Sequence, residues 1–221
     1  MSHSKRSIRG GQGGFTLVEI AIVLVIIGLL LGGVLKGQEL IENSKVKSVI
    51  NDFNGIKAAY YGYQDRYKRL PGDDGPVATI TARGGSWAGM APGNNNGVID
   101  VAAAQTFNGG GENTTFFRHL RAAGLITGNP ADVGAAALPR NGFGGLVGIT
   151  NAAVLGYAQA ALQVCAGNIP GKAAAAIDNQ LDNGVPGTGS VRATEGANNF
   201  IPGAAAAAYS EAQTYTVCVT L

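Results

Sequence analysis

Few side chains in this sequence have the types and spacing that chemistry requires. Glu19 stands in the otherwise uncharged 21-residue run Phe15–Leu35, where a carboxylate is costly unless a cation meets it or it lies near the edge of the apolar layer. Asp73, Asp74, Asn94, Asn96 and Asp100 are oxygen donors on glycine-rich loops. Such side chains can ligate Ca²⁺, which takes 6–8 oxygens. They are equally ordinary turn residues, because they tolerate left-handed backbone angles and bond their own main chain. The stretch 94–100 (NNNGVID) has too few carboxylates for an EF-hand loop, and both readings stay open. His119 lies between Arg118 and Arg121 with no nucleophile or orienting carboxylate nearby in sequence, so we read it as a surface histidine rather than a general base. Two cysteines and two histidines make no zinc pattern. Nucleophile elbow, H-E-x-x-H, P-loop and strand-linked G-x-G-x-x-G are all missing, and nothing in the sequence asks for an enzyme.

The elements that must position these residues begin with the run Phe15–Leu35. As a helix it would be ~31 Å long, the thickness of a bilayer's hydrocarbon core. A removable secretory signal has a shorter apolar core and a small-residue cleavage site, whereas this run passes through Gly32-Gly33 into Lys36. Lys5, Arg6 and Arg9 precede it, which favours a cytoplasmic N-terminus and places the rest of the chain across the membrane. Beyond the run, Leu40, Ile41, Val46, Val49, Ile50, Phe53, Ile56, Tyr60, Tyr63 and Tyr67 recur at three- and four-residue steps, which predicts that the helix continues as an amphipathic one. Pro71-Gly72 should end it.

The string Gly14-Phe15-Thr16-Leu17-Val18-Glu19, behind a short basic leader and ahead of an apolar helix, closely resembles the signal of type IV pilins and pseudopilins. The resemblance implies cleavage by prepilin peptidase between Gly14 and Phe15 and N-methylation of the new Phe15 amine. It also implies that Glu19 pairs with the terminal amine of a neighbouring subunit during filament assembly, a pairing that would lower the burial cost of both charges. Many pilins carry a proline shortly after the span; here Gly33-Val34-Leu35-Lys36-Gly37 has none, which leans towards a minor pilin or pseudopilin. Glycines at 28, 32, 33 and 37 could permit local melting in its place. The resemblance is strong over residues 10–70 and looser beyond.

On this reading residues 1–14 are a cleaved cytoplasmic leader. Residues 15–70 are one long helix with its transmembrane and assembly part at 15–35, and 71–221 form a periplasmic domain. The expected fold is α+β and pilin-like, the long helix packed on a small antiparallel sheet with extended loops. Within 71–221, the stretch up to Gly111 reads as turns. Thr114–Leu125 reads as a helix with a threonine N-cap, Leu146–Thr150 as a strand, and Ala152–Val164 as a helix ending at Cys165 and Gly167. Lys172–Leu181 reads as a second helix, Ser190–Ala193 as a strand and 214–221 as a terminal strand; Ala204–Ala208 is ambiguous between helix start and loop. The Asn113-Thr114-Thr115 sequon is discounted in a bacterial chain. In an oxidising periplasm Cys165 and Cys218 most simply form one disulfide, worth roughly 4 kcal/mol on the chain-entropy model, and tying the last strand to a helix end as in many pilins; two free buried thiols are the alternative.

Composition limits the partners. The net charge is +2, and from Phe15 onward thirteen basic residues face fourteen acidic ones, so no basic stripe for nucleic acid is evident. The expected partners are prepilin peptidase, other pilin or pseudopilin subunits and the inner membrane. No cofactor is expected unless calcium binds. The rival class is a single-pass, inner-membrane-anchored periplasmic binding domain, with the calcium-like loops as its ligand site. A simple anchor, however, has no use for Glu19 or for a Gly-Phe junction at its head.

Overall fold

A computed structural model describes residues 14–221; the basic leader residues Lys5, Arg6 and Arg9 lie outside it. The chain divides into two compact units at Ile41/Glu42. Helix α1, Leu17–Tyr67, runs without a break through 51 residues and contributes to both units.

In the first unit the helix is apolar all round from Ile20 to Leu35. Its mean hydropathy reaches 2.8 with none of that window buried, and among the described residues it is the one helix long and apolar enough to cross a membrane. In the second unit only one stripe is apolar. Val46, Val49, Phe53, Ile56, Ala59 and Tyr63 are buried at three- and four-residue spacing, each large side chain contributing ~1.5–3 kcal/mol. The stripe therefore starts at Val46, four residues into this unit. Leu40 and Ile41, which the periodicity includes, are about 60% and 59% exposed and fall in the first unit.

The stripe belongs to a core built on a four-stranded antiparallel sheet. Strands β1 (Val147–Thr150), β2 (Gln163–Pro170), β3 (Val191–Glu195) and β4 (Thr214–Thr220) lie in the order β1-β2-β4-β3. The α+β architecture expected from the sequence is the one observed. Helix α4, Gly171–Leu181, follows β2 directly and buries Ala173, Ala174 and Ile177. Alternation along the strands builds two cores. Val164, Ala166, Val217 and Val191 join the main core with the α1 stripe, while Cys165 and Cys218 point to the other face, into a smaller cluster with Phe107 and Leu155. Burial on both faces makes β1 and most of β2 continuously buried.

One stretch differs from the sequence reading, and an ambiguous one is decided. Ala152–Val164 is not a helix: residues 151–162 form a loop and Gln163 opens β2. Ala-rich composition favours a helix, but Leu155 adopts φ +57°, donates its N–H to the Gly203 carbonyl at 2.6 Å and is fully buried in the second core. Tertiary contacts override local propensity there. Residues 204–208 form a loop as well.

The region 71–111 has more order than its turns suggest. It carries α2 (Val77–Thr81) and 3₁₀ turns at Gly85–Trp87 and Ala103–Gln105, and it buries Ile80, Trp87, Met90, Ile99 and Val101 in the main core. Helix α3, Glu112–Ala122, is preceded by Gly111 rather than capped by a threonine. Thr114 lies inside the first turn, where its hydroxyl donates to the Gly109 carbonyl. The helix starts earlier because Glu112 is held by loop amides. Asn113 of the sequon is buried. It donates to the carbonyls of Gln105 (2.9 Å) and Thr106 (2.7 Å) and accepts the Ile149 N–H at 3.2 Å, so it fastens the loop to β1.

Candidate functional site

At the start of α1, Glu19 already has local partners. Its Oε2 accepts the Thr16 N–H and the Thr16 hydroxyl, both at 2.8 Å, and the Glu19 N–H reaches Thr16 Oγ1 at 3.3 Å. This is a capping box: Thr16 and Glu19 satisfy each other's backbone donors at the helix N-terminus. The sequence signature of such a box, T-x-x-E, stands in Thr16-Leu17-Val18-Glu19. A carboxylate has about four acceptor positions, and Oε1 has no partner among the described residues. Phe15, Ile20, Ile22 and Val23 around it are exposed, and Glu19 is the single charged side chain among them. Gly14 and Phe15, the predicted processing pair, precede the helix and are exposed.

Four of the five oxygen donors share one hydrogen-bonded loop, and the fifth, Asp74, does not join them. Asp74 is fully buried and turns towards α1. Its Oδ2 accepts Tyr63 Oη–H at 2.6 Å and lies 2.7 Å from Arg83 Nη2, and Arg83 Nη1 also donates to Tyr63 Oη at 3.2 Å. The guanidinium sits 4.3 Å from the Tyr67 ring centroid and 4.6 Å from that of Trp87, a cation–π arrangement. Burial, then the adjacent Asp74 carboxylate, raise the Tyr63 phenol far above its ordinary pKa, so it remains a donor.

The other four donors close a loop around Glu112. Asp73 accepts the N–H groups of Asn96 (2.9 Å) and Gly97 (2.8 Å). Glu112 accepts those of Asn94 (3.0 Å) and Asp100 (2.7 Å). The amides of Asn94 and Asn96 both donate to Asp100 Oδ2, while their own oxygens cap Asn96 and Val98 N–H. Burial raises the Glu112 pKa and the two amide hydrogen bonds oppose it. Gly93 makes the arrangement possible: a Cβ there would lie 2.1 Å from the Gly72 carbonyl oxygen, and its absence lets the strand of loop lie on the Asp73–Asp74 turn. Asp73, Glu112, Asn94 and Asn96 serve backbone donors, Asp100 serves two side-chain amides, Asp74 Oδ2 faces Arg83 and Tyr63, and no group of three or more His, Cys, Asp or Glu is gathered for a metal among the described residues. Among the described residues these hydrogen bonds are those of turn chemistry.

His119 is a correction. It is fully buried, not on the surface. Its Nδ1 accepts the Gly72 N–H and its Nε2 donates to the Ala91 carbonyl, both at 3.0 Å. The ring stacks on Tyr63 at 10° and contacts Trp87 at 5.7 Å between centroids. Burial holds its pKa down to about 4. The flanking arginines misled the reading. Spacing was the available signal, since His119 falls three residues after Phe116, on the apolar face of α3.

Cys165 and Cys218 form a disulfide. They face each other in the β2–β4 register, so the bond joins two adjacent strands, not a strand and a helix end as expected, because Cys165 lies inside β2.

The fold and the N-terminal geometry define a class: an α+β protein with one apolar N-terminal helix fit for a membrane, opened by a capped Thr-Glu turn behind a Gly-Phe junction. Comparison with known families agrees. Residues 9–35 match the family described as the prokaryotic N-terminal methylation motif, so the chain carries the prepilin-type signal of type IV pilin-like proteins. That signal implies processing by prepilin peptidase and assembly with other pilin subunits. No curated protein and no solved structure matches the chain significantly.

Proposed function

We propose that this protein is a structural subunit, not an enzyme, of a type IV pilus or pseudopilus filament, and within that class a minor pilin or pseudopilin. The observation that carries the proposal is the methylation motif at 9–35 placed on a helix whose apolar part is uncovered. Before assembly the chain would sit as a single pass in the bacterial inner membrane, with the N-terminus in the cytoplasm, as Lys5, Arg6 and Arg9 favour, and the C-terminal domain in the periplasm. Cleavage after Gly14 would free the Phe15 amine. Lateral packing of α1 would then drive assembly, with Glu19 as the register device: a subunit entering out of step leaves its carboxylate without an ammonium. The capping box supports this role, because it fixes the carboxylate at the helix head and engages only one of its two oxygens. The proline-free stretch 33–37 and the long loops support the minor pilin or pseudopilin assignment.

Mass spectrometry of the N-terminal peptide, from sheared filaments and from membranes of the same cells, tests the reading. An N-methylated peptide starting at Phe15 is expected. In filaments it marks a pilus subunit; confined to membranes, it marks a pseudopilin. Chains starting only at Met1 or Ser2, with prepilin peptidase active, would overturn the reading in favour of an anchored binding domain.

A further inference from the structure

Where α1 ends, the second unit has an open cleft of about 680 Å³ that the filament reading leaves unused. Gln64, Lys68, Arg69 and Leu70 form one wall; Asp73 and the loop 95–97 form the other. We propose that this cleft binds the oxyanion group, carboxylate or phosphate, of a small ligand, with Arg69 and Lys68 as the binding residues.

Three observations carry this. The Arg69 guanidinium is held across the cleft by a hydrogen bond from Nη1 to Asn95 Oδ1, so it is positioned before a ligand arrives. Its planar fork suits bidentate capture of a carboxylate or phosphate. Next, the negative charge in the cleft is already engaged: both Asp73 oxygens accept the N–H groups of Asn96 and Gly97. The Lys68–Asp65 pair at 2.8 Å is largely exposed on both sides, so water screens it and an incoming anion can replace it. The cleft thus offers two cations, Lys68 and Arg69, while the Asp73 carboxylate has both oxygens turned to loop amides.

Lastly, Lys68 occupies a position where a side chain is a disadvantage. It follows the last helical residue with φ +53° and its N–H bonds back to the Gln64 carbonyl at 2.8 Å. That is the left-handed helix-ending position where glycine is usual, because a Cβ is strained there. No packing of the exposed lysine offsets the strain, whereas a ligand contact at the cleft would.

The test is titration of the ¹⁵N-labelled full-length protein in detergent micelles with glucuronate, with inorganic phosphate and with glucose, which differs from glucuronate only by the missing carboxylate. Saturable shifts of the Lys68, Arg69, Leu70, Asn95 and Gly97 amides with at least one anion, and none with glucose, are expected; whichever of glucuronate and phosphate binds tighter identifies the oxyanion. R69M should weaken binding roughly tenfold, the worth of one charge-assisted hydrogen bond. K68G should weaken binding while melting at or above the wild-type temperature, an outcome that a structural role for Lys68 would not give. Absence of saturable shifts with either anion at about 30 mM, well above a millimolar dissociation constant, would overturn the proposal. Equal shifts with glucose, or unchanged affinity in R69M, would do the same.

Discussion

Acidification should loosen the second unit through one side chain. His119 is buried as a neutral imidazole whose Nδ1 accepts the Gly72 N–H while Nε2 donates to Ala91. A proton on Nδ1 would turn that acceptor into a donor facing another donor. The charged and titratable groups facing the ring are Tyr63 from α1, Asp74 from the turn after it, Arg83 beyond α2 and Arg118 from α3 itself. Asp74 favours the charged ring, the two arginines oppose it, and burial outweighs both, holding the pKa at about 4 against an ordinary 6.5. In the unfolded chain His119 takes up a proton near pH 6.5, which the folded chain refuses until about pH 4. The unfolded state therefore binds more protons over that window, and stability falls as pH drops through it. At about 1.4 kcal/mol per pH unit, the loss attributable to His119 is about 3 kcal/mol. Urea unfolding from pH 7.5 to 4, followed by the fluorescence of Trp87, the single tryptophan, would measure it, with H119N as the non-titrating reference. The wild type should lose about 3 kcal/mol more than H119N across the window. Parallel pH profiles, or an imidazole that titrates near 6.5 by NMR, would refute the argument.

Other perturbations have equally definite outcomes. Removing the disulfide in C165S/C218S should cost roughly 4 kcal/mol in denaturant, and the unreduced, denatured wild type should show no titratable thiol. D74N should cost about 3 kcal/mol, because Arg83 would stay between Tyr67 and Trp87 without its counter-charge; a change below about 0.5 kcal/mol would show the pair is not what holds this turn. L155A should cost ~2–5 kcal/mol by emptying the second core, although the residue lies in a loop. E19A should be inserted in the membrane at normal levels yet appear in filaments at sharply reduced efficiency, read by immunoblot of sheared material; normal assembly would remove Glu19 from the proposed mechanism.

What the sequence alone determined is concentrated at the N-terminus. The Gly14-Phe15 junction, Glu19 and the apolar run are contiguous, and the requirements they meet are local: a peptidase reads adjacent residues, and a membrane reads uninterrupted composition. The amphipathic stripe and α4 were legible for a related reason, since each has one buried face and therefore a clear period, and β4 was legible from its run of β-branched and aromatic residues. Tertiary structure decided the rest. Cys165 sits in a strand rather than at a helix end because the sheet is buried on both faces, which erases the period-two pattern and leaves an Ala-rich stretch that looks helical. His119 is a core residue because Tyr63, Trp87, Gly72 and Ala91, scattered over four segments, converge on it. Asp73 and Asp74, neighbours in sequence, face opposite ways, one to loop amides and the other to Arg83. Which partner each takes depends on loops brought together only when 71–111 folds onto α1 and α3, and no local pattern encodes that convergence.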